Sequence, residues 1–226
     1  MAHGKRYQKR AALVDSKKSY ALADAAALVV TTSPARFDAS VEVHVRLGID
    51  PKKGEQQVRG TVSLPHGTGK SKRVVAFVPA DREADARAAG ADLVGGKELI
   101  DQIRTTEHIE FDVAVATPDL MKDLATIAKI LGPRGLMPSP KNDTVTPKIA
   151  EAIRELKGGR VAFKNDATSN VHQIIGKASW GAEKILENAT TFLDAIRRAK
   201  PPSAKGTYIQ SAFLTTTMGP SVKVQL

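Results

Sequence analysis

The feature that most constrains the fold is an alternation of apolar runs and helical segments, confined to residues 73–157. Arg73 to Val78 (RVVAFV) and Phe111 to Ala116 (FDVAVA) have the composition of buried strands. Thr117-Pro118 then supplies an N-cap followed by proline at the first helical position. Behind it, apolar residues recur at helical spacing: Leu120, Leu124, Ile127 and Leu131. Strands that alternate with helices predict a parallel sheet covered by helices.

Shorter elements complete this middle region. We predict helices over 81–89 and 97–104, and a short strand over 92–94. Gly132-Pro133 is expected to stop the helix that begins behind Pro118. Thr146-Pro147 repeats the start signal ahead of a last apolar stripe, Ile149, Ile153 and Leu156.

The two ends of the chain show period-two alternation, which is typical of half-buried strands. The predicted elements are strands over 41–47, 58–64, 160–163, 170–175, 207–217 and 222–226, and an amphipathic helix over 183–198. We expect 160–163 and 170–175 to form a hairpin around Asn165-Asp166, and the last two strands to join at Gly219-Pro220.

Each of these flanks has 67 residues, which make a poor core alone but about one normal domain together. We therefore predict a discontinuous α+β domain, 1–67 with 160–226, built on an antiparallel sheet with helices. An α/β Rossmann-like three-layer domain, 68–159, is inserted into it. The connections, 65–69 and 158–159, contain glycine and would permit hinge motion; two ordinary turns are the alternative.

The charge follows the same division. The chain has 34 basic and 24 acidic residues, a net charge of +10, of which +5 lies in each flank and none in the middle. Such an excess favours a polyanionic partner, with charge that serves only solubility as the alternative. No apolar run reaches the roughly 18–20 residues of a membrane span. We expect a soluble cytoplasmic protein with no membrane partner.

Motifs for catalysis and cofactors are weak. The chain has no cysteine, which excludes disulfides, cysteine-ligated metals and cysteine nucleophiles. Gly67 to Ser71 resembles the end of a phosphate-binding loop, but Leu64 stands where a glycine is required and a strand follows, so a linker turn is favoured. The five histidines show no metal-ligand spacing. We predict no enzyme activity, cofactor or metal; a nucleotide-dependent enzyme remains an alternative by fold analogy.

Known RNA-binding modules are also poorly matched. Only 10 aromatic residues occur, with no cluster for base stacking. Gly132 to Gly135 (GPRG) has the letters of a KH-type loop but follows a helix. A helix stop is the first interpretation, and a basic loop whose Arg134 touches phosphate is the second.

The least ordinary stretch is Thr215 to Ser221 (TTTMGPS). A methionine at a hairpin tip has no packing purpose, and Gly219 would let another backbone approach closely. The neighbouring hydroxyls can donate and accept, as recognition of a ribose 2′-OH requires. A β-rich turn with incidental threonines is the alternative.

Seven stretches, in order through nearly the whole chain, carry a specific resemblance. They are HGKRY (3–7), FDASVEVHVRLGIDPKK (37–53), VRGTVSLPHGTGK (58–70), ATPDLM (116–121), ILGPRGLMPSPK (130–141), GKASW (176–180) and TTTMGPS (215–221). In them the sequence resembles the bacterial ribosomal protein L1 family, the stalk protein of the large subunit. The resemblance implies a discontinuous RNA-binding domain from both termini and an inserted α/β domain, and so agrees with the fold predicted from the residues.

The resemblance also implies where RNA binds. The expected rRNA- and mRNA-binding residues are Arg36, Phe37, Ser40, Glu42, Thr215, Thr217, Met218 and Gly219. The candidate phosphate contacts are Lys5, Arg6, Lys164, Lys205 and Arg134, besides Arg36. Phe37 could stack on a base or sugar, whereas the residues alone would favour a core position for it. Glu42 would accept from a base amino group or a 2′-OH.

Further partners follow from the resemblance alone. They are exit-site tRNA, whose release the stalk assists, and the messenger leader of the protein's own operon, whose translation it represses. The resemblance also implies a monomer when free of the ribosome, and a place in the large ribosomal subunit. A DNA-binding architectural protein is the competing class.

Overall fold

The computed structural model describes residues 4–225 and has a mixed α/β fold that divides into two compact units. One unit, the terminal unit, combines the chain up to Gly69 with the chain from Val161 onward; the other, the inserted unit, is Lys70–Arg160. These boundaries lie within two residues of those expected from the sequence. His3 of the HGKRY stretch and Leu226 of the last predicted strand lie outside the described residues.

Within the described residues, the terminal unit contains three α-helices and six strands. The helices are α1 (Lys5–Ala11), α2 (Leu22–Thr31) and α8 (Ala182–Arg198). The strands are β1 (Ser40–Leu47), β2 (Arg59–Ser63), β6 (Arg160–Lys164), β7 (Asn170–Lys177), β8 (Ile209–Thr216) and β9 (Val222–Val224). Arg160, the first residue of β6, is the last residue of the inserted unit.

Four of these strands form an antiparallel sheet in the order β7-β1-β8-β9. Val41, Val43 and Val45 of β1 are buried, because alternate residues of a strand point to one face and this face packs on the core. Helices α2 and α8 contribute to the same core, with Ala25, Val29, Ile185, Phe192 and Ile196. The opposite face of the sheet, termed the open face, carries the polar members of the alternation.

The predicted hairpin of 160–163 with 170–175 is wrong. Strand β6 pairs with β2 in a separate two-stranded sheet, and β7 pairs with β1. A single bridge between Asn165 and Val171 joins the two segments. The buried Asn165 side chain instead accepts the Val58 N–H at 2.8 Å, which fixes the chain ahead of β2. The predicted pairing of the last two strands is confirmed by the β8–β9 register.

Helices α1 and α2 have no counterpart among the elements predicted from the sequence. Helix α2 covers the most apolar stretch of the chain and buries Ala25, Ala26 and Val29. Helix α1 buries none of its residues. The Arg10 guanidinium donates to the Thr31 carbonyl at 2.9 Å, which ties α1 to the end of α2.

The inserted unit contains a three-stranded parallel sheet in the order β4-β3-β5. Its strands are β3 (Val74–Phe77), β4 (Leu93–Gly95) and β5 (Val113–Ala116), and its helices are α3 (Glu83–Ala88), α4 (Lys97–Thr106), α5 (Met121–Leu124), α6 (Ala128–Leu131) and α7 (Ile149–Lys157). Apolar clusters form on both faces of the sheet, one including Ile100 and Leu124 and the other Ile149 and Ile153. This is the alternating pattern of strands and helices that the sequence predicts.

The helix expected behind Thr117-Pro118 is broken into short pieces. Helices α5 and α6 alternate with 3-10 turns at Pro118–Leu120 and Ala125–Ile127. The apolar stripe nevertheless points inward as predicted, since Leu120, Leu124, Ile127 and Leu131 are all buried.

Candidate RNA-binding surface

An exposed methionine lies at the tip of the turn between β8 and β9. Met218 is 77% exposed and adopts a left-handed backbone with φ = 63°. The Gly219 N–H donates to the Thr216 carbonyl at 2.8 Å and closes the turn. The exposed tip is as expected, and its methionine contributes nothing to the core.

Gly219 is required for a different reason from the one predicted. A Cβ at this position would lie 2.2 Å from Thr216 Oγ1 and 3.3 Å from the Thr216 carbonyl oxygen. The close approach therefore comes from the chain's own Thr216, and the positive φ belongs to Met218 instead of the glycine. The glycine allows the turn to fold tightly and thereby presents Met218.

The tip is fastened to the start of β1. Thr217 donates its N–H to the Ser40 carbonyl at 3.0 Å, and its hydroxyl accepts the Ser40 N–H at 3.2 Å. The Lys177 ammonium donates to Ser40 Oγ at 3.2 Å and to the Asp38 carbonyl at 3.3 Å. Ser40 is 9% exposed. The Ser40 and Thr217 hydroxyls, which are predicted to contact RNA, thus also help to hold β1, β7 and the tip together.

Phe37 and Met218 share one groove of about 900 Å³. Phe37 is 59% exposed, so the core position that the residues alone would favour is wrong. The groove is lined by Gly4, Lys5, Arg6, Tyr7, Pro34, Ala35, Arg36, Phe37, Met218 and Gly219. Helix α1 provides one wall, and the exposed cations Lys5, Arg6 and Arg36 stand beside the two exposed apolar side chains.

Glu42 and Thr215 lie next to the groove on the open face. They are directly opposite each other in the β1–β8 register. The Glu42 carboxylate is 34% exposed and lies 3.6 Å from Nε2 of His44, two residues further along β1. The Thr215 hydroxyl donates to the Thr216 carbonyl at 3.2 Å. Both side chains present oxygen atoms suited to hydrogen bonding with a polar ligand.

The remaining predicted phosphate contacts lie elsewhere. Lys205 lines a polar cavity of about 790 Å³ with Arg46 and Lys53, at the opposite end of β1 from Ser40. Lys164 lies on β6 in the two-stranded sheet. Arg134 is exposed in a turn of the inserted unit. Of the predicted cations, Lys5, Arg6 and Arg36 are therefore the ones that the structure brings to the groove.

His44 and His172 form a pair on the open face that the sequence, in which the histidines show no metal-ligand spacing, does not predict. The two residues are opposite each other in the β1–β7 register, and their Nδ1 atoms are 2.7 Å apart. Burial and the neighbouring His172 lower the pKa of His44, and the Glu42 carboxylate opposes this shift. The Nε2 atom of His172 lies 3.5 Å from the Asp166 carboxylate. Strand pairing could have revealed the contact, but the predicted hairpin gave β7 the wrong partner.

Residues 4–225 contain no cluster of three or more histidine, aspartate or glutamate side chains able to hold a metal ion. Within the same residues, no helix is long and apolar enough to cross a membrane. Gly67 to Ser71 leads into β3 without an intervening helix, as expected of a linker turn instead of a phosphate-binding loop.

Comparison with known proteins gives a consistent result. A family model described as the ribosomal protein L1p/L10e family matches residues 29–220. The large ribosomal subunit protein uL1 of Salinispora arenicola is 51% identical over 224 residues, which is 99% of this chain and 94% of that protein. The uL1 protein of Corynebacterium diphtheriae is 54% identical over 220 residues, 97% of this chain and 93% of that protein.

Proposed function

Because the chain belongs to the ribosomal protein L1p/L10e family, we propose that it is a component of the large ribosomal subunit that binds ribosomal RNA through the groove of Phe37 and Met218. The observation that carries the proposal is the groove itself. Two large apolar side chains are exposed there beside three cations, in a unit whose 19 basic and 10 acidic residues give a net charge of +9.

Each part of the groove has a distinct task in this proposal. Phe37 and Met218 cover the apolar faces of a base and its sugar, which single-stranded or looped RNA exposes. Lys5, Arg6 and Arg36 neutralise phosphates and supply the salt-dependent share of the affinity. Positioning and discrimination come from uncharged and acidic groups instead of from the excess of positive charge.

The groups that discriminate lie at the groove's edge. Glu42 accepts a hydrogen bond from a base amino group or a 2′-OH, and Thr215, whose hydroxyl proton is donated to the Thr216 carbonyl, can accept another. Ser40 and Thr217 position the tip through hydrogen bonds between the Ser40 backbone and the Thr217 N–H and hydroxyl. Their hydroxyl groups can form further hydrogen bonds with RNA. Gly219 contributes by keeping the turn tight enough to expose Met218.

Other classes of function fit less well. The curated relatives reported above are named as ribosomal proteins and not as enzymes. A DNA-binding architectural protein would need the cations more than the exposed apolar pair, since non-specific duplex binding rests on phosphate contacts. The groove combines both kinds of group, which suits the bases of an irregular RNA loop.

A competition titration of the full chain tests the proposal. The chain is mixed with labelled large-subunit rRNA and an unlabelled competitor, and the labelled complex retained on a filter is measured. The competitors are rRNA, duplex DNA and a structured RNA unrelated to ribosomes. We expect rRNA to compete at least 1,000-fold better than duplex DNA, the lower end of the usual range for specific over non-specific nucleic-acid binding. Equal competition by all three would overturn the proposal.

Two regulatory and dynamic roles extend the same proposal. We infer that the messenger leader of the protein's own operon binds at the same groove and is thereby repressed. The full chain should then lose both rRNA binding and leader binding when Met218 is changed to Asp. If Met218→Asp lost rRNA binding but kept leader binding, the leader would bind at a different site and the inference would be wrong.

We further infer that the protein, in the mobile stalk, assists release of deacylated tRNA from the exit site. Ribosomes assembled with and without the protein should differ in the rate at which exit-site tRNA dissociates. Equal rates would contradict this role and leave rRNA binding unaffected.

A further inference from the structure

One row of side chains crosses the open face of the four-stranded sheet beside the groove. It consists of His172 on β7, His44 on β1, Phe213 on β8 and Lys223 on β9. The register places His44 opposite both His172 and Phe213, and Phe213 opposite Lys223. Directly paired residues share a face, so these four side chains form a continuous cross-sheet row.

The cross-sheet row is accessible. The His44 and His172 side chains are 31% and 52% exposed, and Phe213 and Lys223 are half-buried. All but one of their neighbours along the strands are buried on the other face, and the exception, Gln173, is half-buried. The buried neighbours are Val43, Val45, Val171, Ala212, Leu214, Val222 and Val224. An aromatic ring that is not needed in the core therefore stands between an imidazole and an ammonium group.

The two histidines are held in a defined arrangement. Their rings meet edge to face with centroids 4.9 Å apart, and one Nδ1 must donate to the other over 2.7 Å. The outer nitrogens face Glu42 at 3.6 Å and Asp166 at 3.5 Å. These contacts hold the two rings in one arrangement at the β7–β1 end of the row.

The row continues the candidate RNA-binding surface. Glu42 lies two residues before His44 on β1, and Thr215 lies two residues after Phe213 on β8, so about 7 Å separates the row from the groove's edge. The row spans four strands, or about 14 Å. The Lys223 ammonium in the row and the net charge of +9 on the terminal unit complement a polyanion.

We propose that the cross-sheet row binds an unpaired nucleotide of the same RNA that occupies the groove. The base stacks on the Phe213 ring, and the phosphate lies against the Lys223 ammonium, which is opposite Phe213 on β9. Stacking of bases on aromatic rings of an open sheet is a general means of holding single-stranded RNA. The inference rests on the proposed function, because it assigns a second contact for the RNA held by Phe37 and Met218.

Substitutions in the full chain test the inference by filter-binding titration against large-subunit rRNA. Phe213→Leu keeps an apolar side chain but removes the ring, and should weaken binding about tenfold. Phe213→Tyr keeps the ring and should restore affinity to within about twofold. Lys223→Gln should weaken binding about fivefold and make the dependence on salt shallower.

Matched controls separate the possible outcomes. Lys184→Gln removes the same charge from α8, on the other side of the sheet, and should leave affinity within about twofold. Thermal unfolding of each variant identifies a folding defect, which Phe213→Tyr would not share. Met218→Asp in the same series reports on the groove alone.

The inference is overturned if Phe213→Leu and Lys223→Gln bind within about twofold of the unchanged protein while Met218→Asp binds weakly. That result would leave the proposed function standing. Binding of rRNA no better than duplex DNA by the unchanged protein would overturn both. A loss of binding in Phe213→Leu alone, with Met218→Asp unaffected, would keep the row and reject the groove.

Discussion

Met218→Asp isolates the contribution of the groove to RNA affinity from any effect on folding. Met218 is 77% exposed, so its replacement should change the stability of the terminal unit by no more than about 0.5 kcal/mol. In the complex, the side chain would be buried against RNA, and complete burial of methionine contributes about 1.5–3 kcal/mol. With 77% of the side chain still to be covered, about 1–2 kcal/mol is lost.

The new carboxylate adds repulsion. At about 5 Å from a phosphate, two unit charges repel by about 0.8 kcal/mol in water and by more where water is excluded. Together the two effects predict a loss of about 2–3 kcal/mol, or roughly 30- to 150-fold in Kd. Met218→Leu should stay within about threefold of the unchanged protein, because it retains the apolar contact.

Leu13→Asp is the matched control. Leu13 is also exposed, at 56%, and receives the same charge change in the same unit, but it lies six residues beyond Tyr7, the last α1 residue lining the groove. Ionic screening limits its effect to about twofold at physiological salt. A filter-binding titration against large-subunit rRNA measures all three variants. The reasoning is refuted if Met218→Asp and Leu13→Asp weaken binding equally, since charge alone would then account for the loss.

Three further predictions concern the turn, the cations and pH. Gly219→Ala should weaken rRNA binding at least tenfold because its methyl group would meet Thr216 Oγ1, and adding Thr216→Ala should recover most of the loss; equal binding by single and double variants would contradict this. Replacing Arg36 by Gln should reduce the slope of log affinity against log salt by about 0.7–0.9, whereas Lys205→Gln should leave the slope unchanged; the opposite order would place phosphate at the far end of β1. Since the pKa of His44 is lowered in the folded protein, the folded state binds a proton there less readily than the unfolded chain, and stability should fall as pH decreases from about 6.5 through the lowered pKa. His44→Gln should flatten this part of the pH profile of the thermal midpoint, and an unchanged profile would exclude His44 as its source.

The elements with a strong repeating pattern were predictable. The alternation of Val41, Val43 and Val45 predicted both strand β1 and the face of it that is buried. The apolar stripe of α8 predicted the length of that helix to within one residue. The pairing of β6 with β2 was not predictable. A period-two pattern specifies which face is buried but leaves the partner strand open, so the short connection at Asn165-Asp166 suggested a hairpin that the structure does not form.

The candidate site shows the same limit. The unusual tip with Met218 could be recognised in the sequence because an apolar residue there has no packing role. The groove could not, since it needs α1 and the β8–β9 turn to meet although about 210 residues separate Lys5 from Met218. Phe37 precedes a strand and gave no local signal of exposure. Net charge could not distinguish Arg36, which lines the groove, from Lys205, which does not.

The most direct test of the central claim, that RNA occupies the groove, is site-specific photo-crosslinking. A photoreactive phenylalanine analogue is placed at Phe37, at Met218 or at Leu13 of the full chain, and each protein is irradiated in complex with large-subunit rRNA. We predict that positions 37 and 218 crosslink to the same internal loop of the RNA and that position 13 does not. A stable complex in which position 13 crosslinks as efficiently as positions 37 and 218, or in which neither groove position reacts, would contradict the account.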